Sequence, residues 1–264
     1  MIMRVCAPLA LFAGLLAIAA ETPKTGDDGV KTLTDEYDRL AKPIIHASQD
    51  AASEAERERI VEHDLRPLVR RFAAWFIELA GKHARKPEAL AALTWAATEP
   101  EFACPEQDRA IEILTGDFAT DPGIAGLCKS LVYSPSPRAA SFLTAAWQKN
   151  PNADIRVQGG YFLGRYWHEQ VKGDTAQQAA NAHFDRQAEK LFAELAAHHG
   201  SVKLTALKPP VTVAEAVEKD LFEIRHLTLG KAAPEITGQD ADGKPFKLSD
   251  YRGKLVLLDF WGQW

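Results

Sequence analysis

Residues 65–79 read LRPLVRRFAAWFIEL, and they indicate the fold class of most of the chain. Apolar side chains recur in this stretch at spacings of three and four: Leu65, Leu68, Phe72, Trp75, Phe76 and Leu79. Such spacing places them on one face of an α-helix, and that face is buried against the rest of the protein. We expect one long helix over residues 54–83, which Pro67 either kinks or divides.

The same helical composition extends from about residue 32 to residue 226, rich in Ala, Leu, Glu, Arg and Gln. Prolines interrupt it, and Pro100, Pro122 and Pro151 each follow a polar pair. Because proline suits the first turn of a helix but not its interior, each interruption ends one helix and begins another. The predicted helices cover residues 88–97, 107–118, 123–131, 138–148, 153–169, 176–198 and 212–221. Short helices joined by tight breaks predict an α-solenoid-like array or an irregular bundle.

The predicted helix over 153–169 combines small and aromatic residues. Gly159, Gly160 and Gly164 predict either a close contact between helices or a helix break. Four aromatic residues recur at helical spacing: Tyr161, Phe162, Tyr166 and Trp167. We interpret them as core packing in preference to a binding groove. His168 stands without the second histidine of a metalloprotease helix, so the sequence favours no metal there.

The N-terminus has the three parts of a secretory signal peptide. Arg4 supplies a positive charge, residues 5–20 are almost entirely apolar, and small residues precede a polar stretch. We expect a signal peptide over residues 1–20, cleaved near Ala19-Ala20, and then a flexible leader over 21–31. An uncleaved anchor is the alternative, although the apolar run is short for a membrane span. The signal peptide implies export to the periplasm or another extracytoplasmic compartment.

Cleavage would leave two cysteines, Cys104 and Cys128. Disulfides persist in the compartments that receive exported proteins, so a structural disulfide between the two is one interpretation. Two buried free thiols are the alternative, because cysteine packs as a small hydrophobic residue. Their spacing is too wide for a Cys-x-x-Cys redox pair, and no His or Cys partners stand at zinc-ligand spacing. We expect no metal and no cofactor.

The charge of the chain argues against nucleic-acid binding. The formal net charge is -5, and a mildly acidic chain lacks the basic footprint of proteins that bind nucleic acid. Arg66, Arg70 and Arg71 cluster, but Glu62 and Asp64 stand among them. We interpret this cluster as a solvated helix face.

The sequence changes character near residue 226. Residues 227–264 read LTLGKAAPEITGQDADGKPFKLSDYRGKLVLLDFWGQW. They predict an edge strand at 233–236, a turn at 240–243, a strand at 246–248, a helical turn at 249–252 and a chain reversal at Gly253. The apolar run over 255–260 is broken only by Asp259 and predicts a strand that is buried on both faces of a sheet.

This order of elements resembles the opening of the redoxin, or TlpA/ResA-type, branch of the thioredoxin-like superfamily. The matching motifs are Gly-x-x-Ala-Pro at 230–234, Asp-Gly-Lys at 242–244, Leu-Ser-Asp-x-Arg-Gly-Lys at 248–254, Val-Leu-Leu-x-Phe-Trp at 256–261 and Trp-Gly-x-Trp at 261–264. The resemblance implies that the helical domain predicted over 32–226 is followed by the first strands of an α/β thioredoxin-like domain, truncated, over 227–264. Such a segment alone would expose strand edges and an apolar face.

The resemblance also implies where the chemistry would lie. Family members continue with Cys-x-x-Cys, which we expect directly after Trp264 in a longer reading frame of which this chain is a fragment. Trp261, Gly262 and Trp264 would then lie near the active site, with a core or rim position as the alternative for the tryptophans. Asp259 is a candidate for the acid beneath the dithiol, or else a carboxylate that faces solvent or is hydrogen-bonded locally.

Taken as a family member, the full-length parent would be an exported thiol-disulfide oxidoreductase of the TlpA/ResA-like type. Its partners would be protein thiols or disulfides, or a membrane redox partner, and its helical domain would bind protein or peptide. This chain itself contains none of the catalytic cysteines. Two alternatives stay open: a helical binding or scaffold protein with a redoxin-like tail, and a thiol peroxidase of the AhpC/TSA-like type.

Overall fold

The computed structural model describes residues 29–172 and 175–261. The helices are α1 (Gly29–Gln49), α2 (Glu54–Ile60), α3 (Arg66–Lys82), α4 (Pro87–Thr98), α5 (Pro105–Asp117), α6 (Ala125–Ser130), α7 (Arg138–Lys149), α8 (Ala153–Glu169), α9 (Thr175–His199) and α10 (Val213–His226). Two antiparallel pairs of strands follow α9 and α10: β1 (Lys203–Leu204) with β2 (Val211–Thr212), and β3 (Thr237–Gln239) with β4 (Pro245–Lys247). The predicted class, mainly helical with an incomplete strand region, is confirmed.

The ends of the helices follow the chemistry that the sequence predicts. Pro87 and Pro105 occupy the first turns of α4 and α5, where the missing backbone N–H costs nothing. Asn152 caps α8 by accepting hydrogen bonds from the backbone N–H groups of Asp154 and Ile155. Helices α4 and α7 end at the polar residues before Pro100 and Pro151, as expected, and α5 ends somewhat earlier, at Asp117.

The predicted long helix over 54–83 is continuous but not uniform. A five-residue π-helical segment, Val61–Leu65, joins α2 to α3. Pro67 falls in the first turn of α3, directly after this segment. Pro67 therefore occupies a position where proline is tolerated. A π-helical segment precedes it, in place of the simple kink or break that was expected from Pro67.

Neighbouring helices pack on one another along the chain. Helix α3 packs on α4, α4 on α5, α5 on α7, α7 on α8, α8 on α9 and α9 on α10. This succession of adjacent pairs is typical of an α-solenoid-like array. The core runs along the array, and its largest fully buried side chains include Phe72, Phe76, Phe142 and Phe192.

The glycines of α8 mark close helix packing, which confirms one of the two interpretations of that motif. A Cβ at Gly160 would lie 2.8 Å from the ring of Trp147 in α7. A Cβ at Gly159 would lie 3.0 Å from the backbone nitrogen of the same residue. Tyr161 and Phe162 are buried as expected, so α8 is a central helix of the array.

Three predicted boundaries differ from the structure. Helix α1 begins at Gly29, so the described part of the expected flexible leader, residues 29–31, is helical. Helix α10 continues to His226 rather than stopping at residue 221, because its buried residues recur through Ile224. The first strand of the C-terminal region is Thr237–Gln239 instead of 233–236.

Residues 1–28 lie outside the described part of the chain, and with them the predicted signal peptide over 1–20 and the first part of the leader. Within residues 29–172 and 175–261, none of the helices has both the length and the apolar character needed to cross a membrane.

Candidate functional site

The C-terminal segment that carries the resemblance forms a small hairpin. Strands β3 and β4 pair in register Thr237 with Lys247 and Gly238 with Phe246. At the turn between them, Asp240 accepts backbone hydrogen bonds at its Oδ1 from Asp242 and Lys244. Gly243 has φ +78°, which glycine adopts without the strain that a Cβ would add. The predicted turn at 240–243 is therefore confirmed.

A short 3₁₀ turn, Leu248–Tyr251, follows the hairpin and is tied back to it. Ser249 donates its backbone N–H to Oε1 of Glu235 at 3.0 Å, and Lys247 donates its own to Oδ2 of Asp250 at 2.9 Å. The hydrogen bonds from Ser249 lower the pKa of Glu235. Gly253 then takes φ +81°, as its place in the motif predicts. The structure thus reproduces the expected helical turn and chain reversal.

The prediction of a buried strand over 255–260 is wrong for this structure. Leu255, Leu257 and Phe260 are 103%, 93% and 80% exposed, and the segment has no strand assignment. A strand is buried on both faces only when neighbouring strands and helices cover it. Within the part of the chain that the structure describes, β3 and β4 form a two-stranded sheet of their own and do not pair with this run. The run is an uncovered apolar segment, as expected for an incomplete sheet.

Two of the four candidate site residues, Asp259 and Trp261, lie on this uncovered segment. Trp261 is 80% exposed, so neither a core nor a rim position describes it here. Asp259 is also exposed, which fits the solvent-facing alternative and not a buried acid. Gly262 and Trp264 fall outside the described residues. The two described residues, Asp259 and Trp261, are thus both exposed to solvent.

No family model and no solved structure matches the chain. Curated relatives match a short stretch of it. Thiol-disulfide oxidoreductase ResA of Geobacillus thermodenitrificans is 45% identical over 38 residues, which are 14% of this chain and 22% of the relative. ResA of Geobacillus kaustophilus is 47% identical and ResA of Bacillus anthracis 45% identical, over the same lengths and shares.

The match indicates a thioredoxin-like, redoxin relationship for a small part of the chain. The chain spans about a fifth of the length of these relatives, since the matched stretch is 22% of each. The matched stretch of 38 residues is as long as the segment 227–264, in which the motifs lie.

The two cysteines of the helical region are free thiols. Cys104 precedes the first turn of α5, Cys128 lies in α6, and both are buried. Of the two interpretations offered by the sequence, the structure contains the pair of buried thiols and not the disulfide. Burial raises the pKa of Cys128 to about 12, and it also raises the pKa of Cys104. Neither is therefore a reactive thiolate of the kind that redox exchange needs.

A second candidate site, which the sequence did not indicate, lies where α8, α9 and α10 meet. His168 in α8 is 3% exposed. Its Nδ1 lies 2.7 Å from Oδ1 of Asp185 in α9, and its Nε2 lies 3.3 Å from Oε1 of Glu223 in α10. Both ring nitrogens thus face carboxylates, one from each neighbouring helix. We call these three residues the His168 cluster.

Opposing effects act on the charged form of this histidine. Burial is the largest single influence and lowers the pKa of His168, but the hydrogen bonds and charges of Asp185 and Glu223 together outweigh it, so the pKa is raised. Burial likewise raises the pKa of Glu223, while the hydrogen bond from His168 leads the effects that bring it below its usual range. The cluster therefore favours an imidazolium between carboxylates. With both nitrogens occupied, His168 has no free nitrogen to act as a general base.

An ion pair adjoins the His168 cluster on the same helices. Arg165 in α8 donates to Oδ1 of Asp220 in α10 at 2.7 Å, and the side chain of Asp220 is only 2% exposed. Arg165 also approaches Glu169, one helical turn further along α8, at 3.5 Å. Two layers of charge, one at Arg165 and one at His168, therefore join α8 to α10.

The described residues hold no group of three or more histidine, cysteine or acidic side chains arranged to bind a metal ion.

A sequence signal for the His168 cluster does exist in retrospect. His168 lies three residues after Arg165, and Glu223 lies three after Asp220, so each pair shares a helix face. The pairing of those two faces depends on tertiary packing, which the spacing alone does not give.

Proposed function

We propose that this chain is part of an exported thiol-disulfide oxidoreductase of the TlpA/ResA-like type. In this proposal, the segment after residue 226 begins a thioredoxin-like domain, and the helical region before it is a separate domain. The single observation that supports the activity is the match of 45–47% identity to ResA proteins over 38 residues.

The local structure of the segment supports the same proposal. The hairpin β3–β4, the 3₁₀ turn and Gly253 follow one another in the order that the motifs predict. The exposed apolar run over 255–261 is what an interior strand leaves uncovered when the rest of its sheet is not in place. In the proposed protein this run becomes a central strand that leads into the active-site loop.

The chemistry would come from a Cys-x-x-Cys that follows Trp264 in the full reading frame. The thiolate of its first cysteine attacks a disulfide of the substrate, forms a mixed disulfide and releases one substrate thiolate. The second cysteine then attacks the mixed disulfide, which releases the other substrate thiol and leaves the enzyme oxidised. Two electrons pass from the dithiol to the substrate, and a helix N-terminus stabilises the attacking thiolate.

The experiment is an insulin-reduction assay on the product of the full reading frame, with dithiothreitol as reductant. We expect catalysis that is lost when the first cysteine of the Cys-x-x-Cys is replaced by serine. Cys128→Ser is the matched control, because this buried thiol lies outside the proposed dithiol and its replacement leaves the rate unchanged. A full-length protein without activity, or with activity that survives the first substitution, contradicts the proposal.

A helical binding protein with a redoxin-like tail is the second candidate function. The observation in its favour is a groove of about 270 Å³ between α7, α8 and α9, lined by Trp147, Trp167 and Leu191 among others. Half-buried tryptophans of this kind suit the contact of a protein or peptide partner. A reading frame that continues without a dithiol would support this candidate over the enzyme.

A further inference from the structure

The His168 cluster lies directly under the exit of the C-terminal segment. A crevice of about 210 Å³ is lined by His168, Lys172 and Glu223 together with Leu227 and Leu229. A neighbouring crevice of about 490 Å³ extends from Asp185 to Lys231. Residues 227–231 therefore line the crevices beside the cluster, where the chain leaves α10.

We propose that the His168 cluster is a pH-sensitive latch that holds the end of α10 and residues 227–231 against α8 and α9. When protonated, the imidazole donates one N–H to Asp185 and the other to Glu223, and so joins three helices. The latch controls how firmly the C-terminal segment is attached to the helical region. It acts whether or not the segment leads into a redox domain.

When His168 loses one proton, it can donate to only one of the two carboxylates. A neutral imidazole has a single N–H donor, so one of the two carboxylates then faces a nitrogen lone pair. That contact is repulsive, and the loss of one hydrogen-bond donor destabilises a partly buried carboxylate. Because Asp185 lies on α9 and Glu223 on α10, deprotonation of His168 weakens the contact of α8 with one of these two helices, and the longer contact, to Glu223 at 3.3 Å, is the one we expect to be lost.

Other charged groups surround the His168 cluster on α8, α9 and α10, and they contribute to the electrostatic field at His168. On α8 and just after it, Arg165, Glu169 and Lys172 lie near, and Lys172 approaches Glu223 at 3.6 Å. On α10, Asp220 pairs with Arg165, and Arg225 pairs with Glu189 of α9 at 2.6 Å. The pairs of Arg165 with Asp220 and of Arg225 with Glu189 do not include His168, so they hold the body of α10 in place. The change is confined to its last turn and the exit.

The sign follows from the raised pKa of His168. A group whose pKa is higher in the folded state contributes stability that is fully present below its unfolded value, about 6.5. That contribution is lost as the pH rises through the folded pKa. The latch is therefore closed in mild acid, and it opens as the pH rises above the raised pKa of His168.

The test is hydrogen exchange of residues 213–231 in the full chain, followed by mass spectrometry from about pH 6 to about pH 9 and corrected for intrinsic rates. We expect exchange to rise by about tenfold or more across a transition on the alkaline side. His168→Gln removes the transition, and Glu223→Gln moves its midpoint to lower pH because one stabilising carboxylate is neutralised. His198→Gln is the control, since His198 is an exposed histidine in the last turn of α9.

A second measurement covers the case in which His168→Gln does not fold. The imidazole of His168 in the wild-type chain is titrated by NMR, with carbon-13 labelled histidine. Its midpoint must coincide with the exchange transition, and both must move together in Glu223→Gln. The proposal is overturned if His168→Gln keeps the wild-type transition, or if exchange at 227–231 does not follow the titration of His168.

Discussion

Gly164 of α8 lies so close to Phe192 of α9 that a Cβ on the glycine would stand 2.5 Å from Cε1 of the ring. Phe192 is fully buried, so a shift of its ring would disturb the close-packed core around it. The absent side chain at Gly164 is what lets the two helices approach, one helical turn before His168 on α8.

Gly164→Ala should therefore destabilise the protein although alanine is the better helix former. We expect a loss of about 1–3 kcal/mol in the free energy of unfolding, the usual cost of overpacking a core. Gly116→Ala is the matched control, because nothing lies within 4 Å of a Cβ at that position in α5. Helix propensity predicts a gain of up to about 1 kcal/mol there. Urea unfolding measures both, and an equal effect of the two substitutions would contradict the packing.

The ion pair between Arg165 and Asp220 makes a second prediction. Arg165→Ala leaves a carboxylate that is 2% exposed without its cation, and we expect a loss of about 3–5 kcal/mol in unfolding free energy. Arg39→Ala, which removes the exposed pair with Glu36, should cost less than about 1 kcal/mol. In the double variant R165A/D220N the cost should be smaller than the sum of the single costs. Strict additivity in that double-mutant cycle would show that the pair is not coupled.

The start of α10 depends on a reciprocal cap. Thr212 accepts the backbone N–H of Glu215 at its Oγ1, and Glu215 accepts the backbone N–H of Thr212 at 2.8 Å. We expect Thr212→Ala to cost about 1 kcal/mol in unfolding free energy. Glu215→Gln retains the hydrogen-bonding pattern of the box and should change stability less. If the two substitutions were equally mild, the cap would have no role in holding α10.

The thiols offer a direct test of the cysteine assignment. Because Cys128 is fully buried with a pKa of about 12, and Cys104 is 6% exposed with a raised pKa, neither should react with a thiol reagent at neutral pH in the folded protein. Both should react after denaturation without any reductant. Failure of the two to react in denaturant would mean that they form the disulfide that the structure does not contain.

The helical array could be predicted well from the sequence, because the periodicity of apolar residues and the prolines between helices are local signals. The apolar spacing around Phe72 and the breaks at Pro100 and Pro151 predicted where most helices lie. The predicted helix over 212–221 begins at Thr212, which is the N-cap of α10 in the structure. Of the five residues by which α10 exceeds the prediction, only Ile224 is buried, and its burial depends on neighbouring helices, which no local pattern contains.

The sites were harder to predict, because each depends on contacts between distant segments. The apolar run over 255–260 was assigned to a buried strand, but burial needs a complete sheet around it. For His168, the sequence analysis predicted only that it binds no metal. Its partners in the structure, Asp185 and Glu223, lie 17 and 55 residues away along the chain. Sequence spacing showed which faces were polar and left open which faces meet.

The redox proposal depends on what the gene encodes after Trp264. Sequencing the genomic DNA beyond the codon for Trp264 determines this directly. We predict a frame that continues directly into Cys-x-x-Cys and then into the remaining elements of a thioredoxin-like domain. A stop codon at that point, or a continuation without a cysteine there, would contradict the proposed oxidoreductase.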